Sequence, residues 1–203
     1  MSEERPTVFV VDDDLSFRRG LGRLVRSAGF TVETFAAASE FLQRPATAAP
    51  GCVLIDLRMP GMNGLELQEA IAAAGHTMPV IFMTGAGDVP STVTAMKAGA
   101  LDFLTKPFDE ERLLDAIRRA LERDAQQRAQ REERKKGQAR YNELTPRERE
   151  VCGLVARGML NKQIAFHLGT TEKTIKVHRS RVMEKLEVRS VADLVRLVDR
   201  LSG

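Results

Sequence analysis

Two hydrophobic rhythms divide the chain. Through residue 121, short unbroken apolar runs alternate with segments whose apolar residues recur every third or fourth position; beyond it only the second rhythm persists. The runs Val8-Phe9-Val10-Val11, Cys52-Val53-Leu54-Ile55 and Val80-Ile81-Phe82-Met83 predict parallel strands covered on both faces. With weaker runs they predict strands at 7–11, 31–35, 52–56, 79–83 and 102–105. Phe17, Leu21, Leu24, Val25 and Ala28 share one face of a helix stopped by Gly29. A short helix at 39–43, one capped by Asn63 and ending before Gly75, one at 89–98 and one at 109–121 with Asp109 as its cap complete five βα units. The Pro/Ala/Gly-rich segment 45–51 reads as a loop. Residues 1–121 are therefore predicted to form an α/β domain, doubly wound about a parallel sheet.

Residues 122–140 are polar almost all round, mostly good helix formers and free of proline. They predict a linker helix that continues the preceding helix and stops near Gly137. From 141 to 203 the pattern is all-α. Thr145 at N-cap, Pro146 at N1 and Glu148 at N3 form a capping box before Val151, Leu154 and Val155, with Gly158 ending that helix. Asn161 is expected to cap a second helix that turns Ile164, Ala165 and Leu168 inward, and Gly169 makes the turn. Thr171 caps a third helix, in which Ile175, Val182 and Leu186 face a core and Val177 points away. A last helix from Ser190 presents Val191, Leu194, Val195 and Val198. Two short helices around a glycine turn predict a helix-turn-helix.

Charge sharpens this division. Residues 1–121 hold 12 Lys and Arg against 16 Asp and Glu, whereas residues 122–203 hold 19 against 12. An acidic front half suits a cation site and a basic back half a polyanion. Cys52 and Cys152 stand a hundred positions apart, as expected of buried thiols in a reducing compartment. No apolar run approaches membrane-spanning length and the N-terminus shows no signal-peptide core, so a cytoplasmic protein without a membrane partner is expected.

Candidate chemistry gathers at strand ends. The first strand runs into Asp12-Asp13-Asp14, the third ends in Asp56 before a Pro-Gly turn, the fourth runs into Thr84-Gly85 and the fifth into Lys106-Pro107. Ligands of open α/β sheets bind at the carboxyl ends of strands. A carboxylate can attack phosphorus and form an acyl phosphate, while clustered carboxylates disfavour full ionisation unless a hard cation relieves them. Lys106 would offset charge on a transferring phosphoryl group. A cis Lys106–Pro107 bond is expected, because the chain must turn sharply there. Asp14 is assigned to the helix N-terminus.

The constellation of Asp12-Asp13, Asp56, Thr84 and Lys106 resembles a response-regulator receiver domain over about the whole front half. The resemblance implies a flavodoxin-like (βα)5 fold with strand order 2-1-3-4-5, and Asp56 as phosphoacceptor. It implies a Mg2+ (or Mn2+) site formed by Asp13, Asp56 and the Arg58 carbonyl, with Asp12 acting on the ion largely through water. Thr84 and Lys106 would bind the phosphoryl oxygens, and Phe103 would be the aromatic that rotates with the switch.

The back half resembles a LuxR-type DNA-binding domain over residues 142–198. The likeness rests on Leu144-Thr145-Pro146-Arg147-Glu148-Arg149-Glu150-Val151, Asn161-Lys162-Gln163-Ile164-Ala165 and Thr174-Ile175-Lys176-Val177-His178. Lys173, Lys176, Val177, Ser180 and Arg181 form an exposed stripe suited to a major groove. The resemblance implies base contacts by Lys176, Val177 and Ser180, and phosphate or positioning contacts by Asn161, Lys162, Thr171, Lys173 and Thr174. Some relatives have lysine where Ser180 stands, so base preference does not carry over there. His178 reads as a partly buried helix residue without a metal site. Both halves together look like FixJ-type regulators of the NarL/FixJ class, a subgroup that the loop Gly87-Asp88-Val89-Pro90 fits.

The expected function is a transcription factor switched by phosphorylation, not an enzyme on a separate substrate. Its partners would be a sensor histidine kinase, a double-stranded operator, RNA polymerase and, once phosphorylated, a second copy. Val191, Leu194 and Val195 are the expected contact between DNA-binding domains. Two other functions stand beside this one: a Mg2+-dependent phosphohydrolase using Asp56, and a DNA-binding regulator independent of phosphorylation.

Overall fold

The computed structural model describes residues 6–45, 49–85 and 99–202. The helix expected at 89–98 and the loop Gly87-Asp88-Val89-Pro90 lie outside them. The chain divides into two compact units, residues 1–128 and 129–203.

The first unit is built on strands β1 (Thr7–Val11), β2 (Thr31–Phe35), β3 (Gly51–Asp56), β4 (Val80–Thr84) and β5 (Asp102–Thr105). All pair in parallel in the order β2-β1-β3-β4-β5. Every residue of β1, β3 and β4 is buried, as parallel strands under helices on both faces must be. Side chains alternate between two cores. Val8, Val10, Leu54, Ile81 and Met83 lie in one with Leu21 and Val25 of α1 (Leu15–Ser27) and Leu113 and Ile117 of α4 (Glu110–Asn142). Phe9, Val53, Ile55 and Phe82 lie in the other with Phe41 of α2 (Ala38–Gln43) and Leu67 and Ile71 of α3 (Gly64–Ala73). Asn63 caps α3 in a full capping box, as its position predicts. Gly64 has a tighter reason to be glycine: a Cβ there would lie 2.6 Å from the Asp56 carbonyl oxygen.

The second unit contains α5 (Pro146–Ala156), α6 (Asn161–His167), α7 (Glu172–Lys185) and α8 (Val191–Ser202) around a core of Val151, Leu154, Val155, Ile164, Ile175, Val182, Leu186 and Leu194. Thr145 and Glu148 complete the expected capping box with Pro146 in the first turn. Thr171 Oγ1 accepts from the Thr174 N–H and caps α7.

Two expectations change. Asn161 is not the cap of α6: Leu160 occupies that position, and its N–H donates to Gln163 Oε1 at 2.8 Å. The helix continues through 122–140 as expected, but α4 runs to Asn142 and does not stop at Gly137. In the first unit Asp124 is 1% exposed and accepts the Gly51 N–H at 2.8 Å, while Arg128 pairs with it at 2.6 Å. In the second, Gly137 lies under the Leu197 side chain and Tyr141 packs on the core. This stretch of α4 has no apolar stripe and is anchored by one buried carboxylate and one missing side chain, which periodicity does not register.

Candidate functional site

Strand ends of the first unit meet as the sequence predicts. The Asp12 N–H is held by the Phe35 carbonyl, Leu57 N–H by Met83, and Lys106 N–H by Thr84, so the exits from β1, β3 and β5 are tied to their neighbours. Asp12 is wholly buried and Asp56 is 8% exposed. Lys106 Nζ donates to Asp12 Oδ2 at 2.7 Å and to Asp56 Oδ1 at 2.5 Å. Backbone fills the other oxygens: Asp14 N–H donates to Asp12 Oδ1 and Arg58 N–H to Asp56 Oδ2. The Lys106–Pro107 bond is cis, as expected. Asp14 caps α1, accepting from Ser16 and Phe17 N–H groups.

Burial pushes the Asp12 carboxyl above its ordinary value, and the Asp56 charge acts in the same direction against the hydrogen bond from Lys106. Burial alone would lower the Lys106 ammonium, but its hydrogen bonds to Asp12 and Asp56 prevail and raise it. Lys106 is thus held as the cation of a crowded acidic pocket. Two contacts of this pocket were missed from sequence, one to Lys106 and one to Asp12. Lys106 Nζ stands 3.9 Å from the Phe17 ring centroid, and Phe17 meets Phe108 edge-on at 5.9 Å. Arg18 donates through Nη1 to the Asp12 carbonyl. Helical spacing places Phe17 on a buried face but carries no sign that the face ends on an ammonium.

Thr84 Oγ1 is buried and has no hydrogen-bond partner among the described residues. A hydroxyl in that state costs roughly 1–3 kcal/mol unless a ligand supplies its partner. Phe103 is half-buried against the second core. Asp13 is exposed beside this pocket, and among the described residues no three His, Cys, Asp or Glu side chains meet in metal-ligating geometry. In kind, though, the donors fit a hard divalent cation: carboxylates of Asp12, Asp13 and Asp56 with a backbone carbonyl at Arg58.

In the second unit, α7 is locked from behind and bare in front. Ile175, Val182 and Leu186 are fully or nearly fully buried; Val177 is 46% exposed. Lys173, Lys176, Ser180 and Arg181 share its exposure. Lys162 is exposed on α6, Thr171 is exposed, and Asn161 and Thr174 are half-buried. Arg179 donates to Asn161 Oδ1 at 3.0 Å, which ties α7 to α6. Lys185 donates to Glu148 Oε2 at 2.7 Å, which ties it to α5. His178 is half-buried, as expected. One expectation is corrected: Leu194 has no exposed surface and belongs to the core, so it is unavailable to a second copy. Val191 and Val195 keep partial exposure.

A parallel 2-1-3-4-5 sheet with a lysine-bridged carboxylate pair at its carboxyl edge, followed in one chain by a helix-turn-helix, is the plan of a response regulator. Residues 8–118 match the response regulator receiver domain, and residues 142–198 match the luxR family of bacterial regulatory proteins. Response regulator protein TodT of Pseudomonas putida is 45% identical over 201 residues, covering 99% of this chain and 88% of TodT. Transcriptional regulatory protein FixJ of Azorhizobium caulinodans is 43% identical over 97% of this chain and 93% of its own. Among solved structures, response regulator StyR superposes with TM-score 0.85 at 52% identity, over 97% of this chain and 99% of StyR. The chain belongs to the NarL/FixJ family of response regulators. It is a regulator of transcription controlled by phosphorylation, with a DNA-binding output, and not a classical enzyme.

Proposed function

We propose that Asp56 is the phosphoacceptor and that a sensor histidine kinase is its donor. One Asp56 carboxylate oxygen attacks the phosphorus of a phosphohistidine; the new O–P bond forms as the P–N bond breaks, and the histidine leaves with a proton. The observation that carries this reading is the Lys106 ammonium bridging Asp56 and Asp12, together with a buried Thr84 hydroxyl that has no partner among the described residues. Lys106 and Thr84 then bind phosphoryl oxygens, which gives the hydroxyl its missing partner. Asp12, Asp13, Asp56 and the Arg58 carbonyl would hold Mg2+ (or Mn2+), whose positive charge offsets the negative charge of the transferring group. Drawing Thr84 inward makes room for Phe103 to rotate, a two-state element of the kind switching requires.

The output is sequence-specific binding of double-stranded DNA by α7 in the major groove. Lys176, Val177 and Ser180 face bases, with Arg181 beside them. Lys162, Lys173, Thr171, Thr174 and the Asn161 amide hold phosphates. Phosphorylation pairs two copies, with Val191 and Val195 at the contact between DNA-binding units, and the bound dimer recruits RNA polymerase.

Incubation with acetyl phosphate and Mg2+ is expected to add one phosphoryl group by intact mass, and Asp56→Asn to abolish it. An undiminished yield in that variant would overturn the assignment.

A further inference from the structure

α1 buries one face and turns a very different one outward. Ser16, Arg19, Arg23 and Arg26 repeat at i, i+3, i+7 and i+10, a single stripe, and the helix contains no acid. Four of the 12 cations of residues 1–121 lie on this helix, in the half where acids outnumber them. Arg18, Arg19, Arg23 and Arg26 line a groove of about 450 Å3 with Ser16 and with Thr34 of edge strand β2. Gly22 shapes it: a Cβ there would lie 3.5 Å from Arg26 Nη1 and 3.3 Å from Thr34 Cγ2, so this guanidinium lies over bare backbone beside the strand. Arg18 and Arg26 donate to carbonyls, of Asp12 and Val32. Arg19 and Arg23 make no ion pair or hydrogen bond among the described residues. Stacking like charges at i and i+4 with no counter-charge weakens a helix, and a bound anion removes that repulsion.

We propose that this groove is a binding site for an anion carrying several phosphates in a row. Guanidinium forks and hydroxyls are donors matched to phosphate oxygens, and the lining holds no carboxylate to repel them. It holds no aromatic or large aliphatic side chain either, so it lacks both a platform for a base and the apolar centre of a protein–protein interface. The site is separate from the acidic pocket and independent of the assignment of Asp56.

The probe is inorganic tripolyphosphate, titrated at low salt into the full chain, with backbone amide shifts followed residue by residue. Saturable shifts are expected along residues 16–27 and at Thr34. Arg19→Gln/Arg23→Gln should weaken the affinity read from those shifts by about tenfold or more. Arg19→Lys/Arg23→Lys, which keeps the charge and loses the forks, should weaken it by a smaller factor. Arg118→Gln, an exposed cation of α4, should leave it unchanged. Shifts confined to residues 162–181, or an undiminished affinity in the Gln double variant, would overturn the proposal. So would a random DNA duplex that moves the α1 amides where tripolyphosphate does not, since the groove would then be reading a DNA backbone.

Discussion

Lys106 and Glu148 are the two residues on which most of the local electrostatics turns. Lys106 sits among Asp12, Asp56 and the Phe17 ring, so replacing it leaves buried Asp12 without its counter-charge. Glu148 is the counterpart in the DNA-binding unit. Its side chain is 4% exposed and accepts from Lys185 at 2.7 Å and from the Thr145 N–H at 2.9 Å. Lys185 first, then that N–H, holds its carboxyl down from 4.5 to about 2. A carboxyl whose folded value is depressed adds stability that is complete above its unfolded value and disappears as pH falls through the folded one. Glu148→Gln is therefore expected to destabilise by about 1–3 kcal/mol near neutrality. That deficit against the wild type should shrink as pH drops from 4.5 towards 2. Denaturant titrations of both proteins across that range check this, and a deficit that stays constant would show that Glu148 acts through packing alone.

At the scale of elements, α4 and α7 show which contacts hold a helix in place. In α4, a Cβ on Gly137 would come within 2.8 Å of Leu197 Cδ1. Gly137→Ala should stay within about 1 kcal/mol of wild type, because a turn of the Leu197 methyl and the helix preference for alanine offset each other. Gly137→Leu should cost about 1–3 kcal/mol by overpacking, and the melting temperatures of the two variants decide it. In α7, burial of Ile175, Val182 and Leu186 and the ties from Arg179 and Lys185 aim Val177 and Lys176 outward. Val177→Ala is expected to cost about 1–3 kcal/mol on the specific operator and little on random DNA. Lys162→Ala should weaken both and reduce the salt slope by about one unit. Equal losses on both DNAs for both variants would refute the division of roles.

For the whole molecule, the proposed coupling is between phosphoryl transfer in one unit and pairing of the other. A helix-turn-helix that reads paired half-sites gains avidity from a second copy, so dimerisation converts one phosphoryl group into occupancy of an operator. Sedimentation at micromolar concentration is expected to give a monomer without phosphorylation and a dimer with it. Val195→Asp should weaken the phosphorylated dimer without changing phosphorylation, because Val195 is half-buried and lies outside the core cluster that takes up Leu194. A phosphorylated monomer that binds its operator tightly would rule the coupling out.

Much of this was determined by the order of residues alone. Unbroken apolar runs specified β1, β3 and β4, because strands covered on both faces are apolar through their middles and admit polar residues only at their ends, here Thr7, Asp56 and Thr84. Capping residues specified where α3, α5 and α7 begin, because the first N–H groups of a helix need an acceptor a few residues away. The acidic pocket was legible because each member ends a strand, and parallel strands bring their ends to one edge. Contacts between distant residues of small signal were decided only by the tertiary structure. Asp124 on the Gly51 N–H, Gly137 beneath Leu197, Lys106 over Phe17 and Arg179 on Asn161 each join positions that no local period relates. The fate of Leu194 is the same lesson: an apolar stripe tells that a face is covered, and only packing tells whether the cover is the protein itself or a partner.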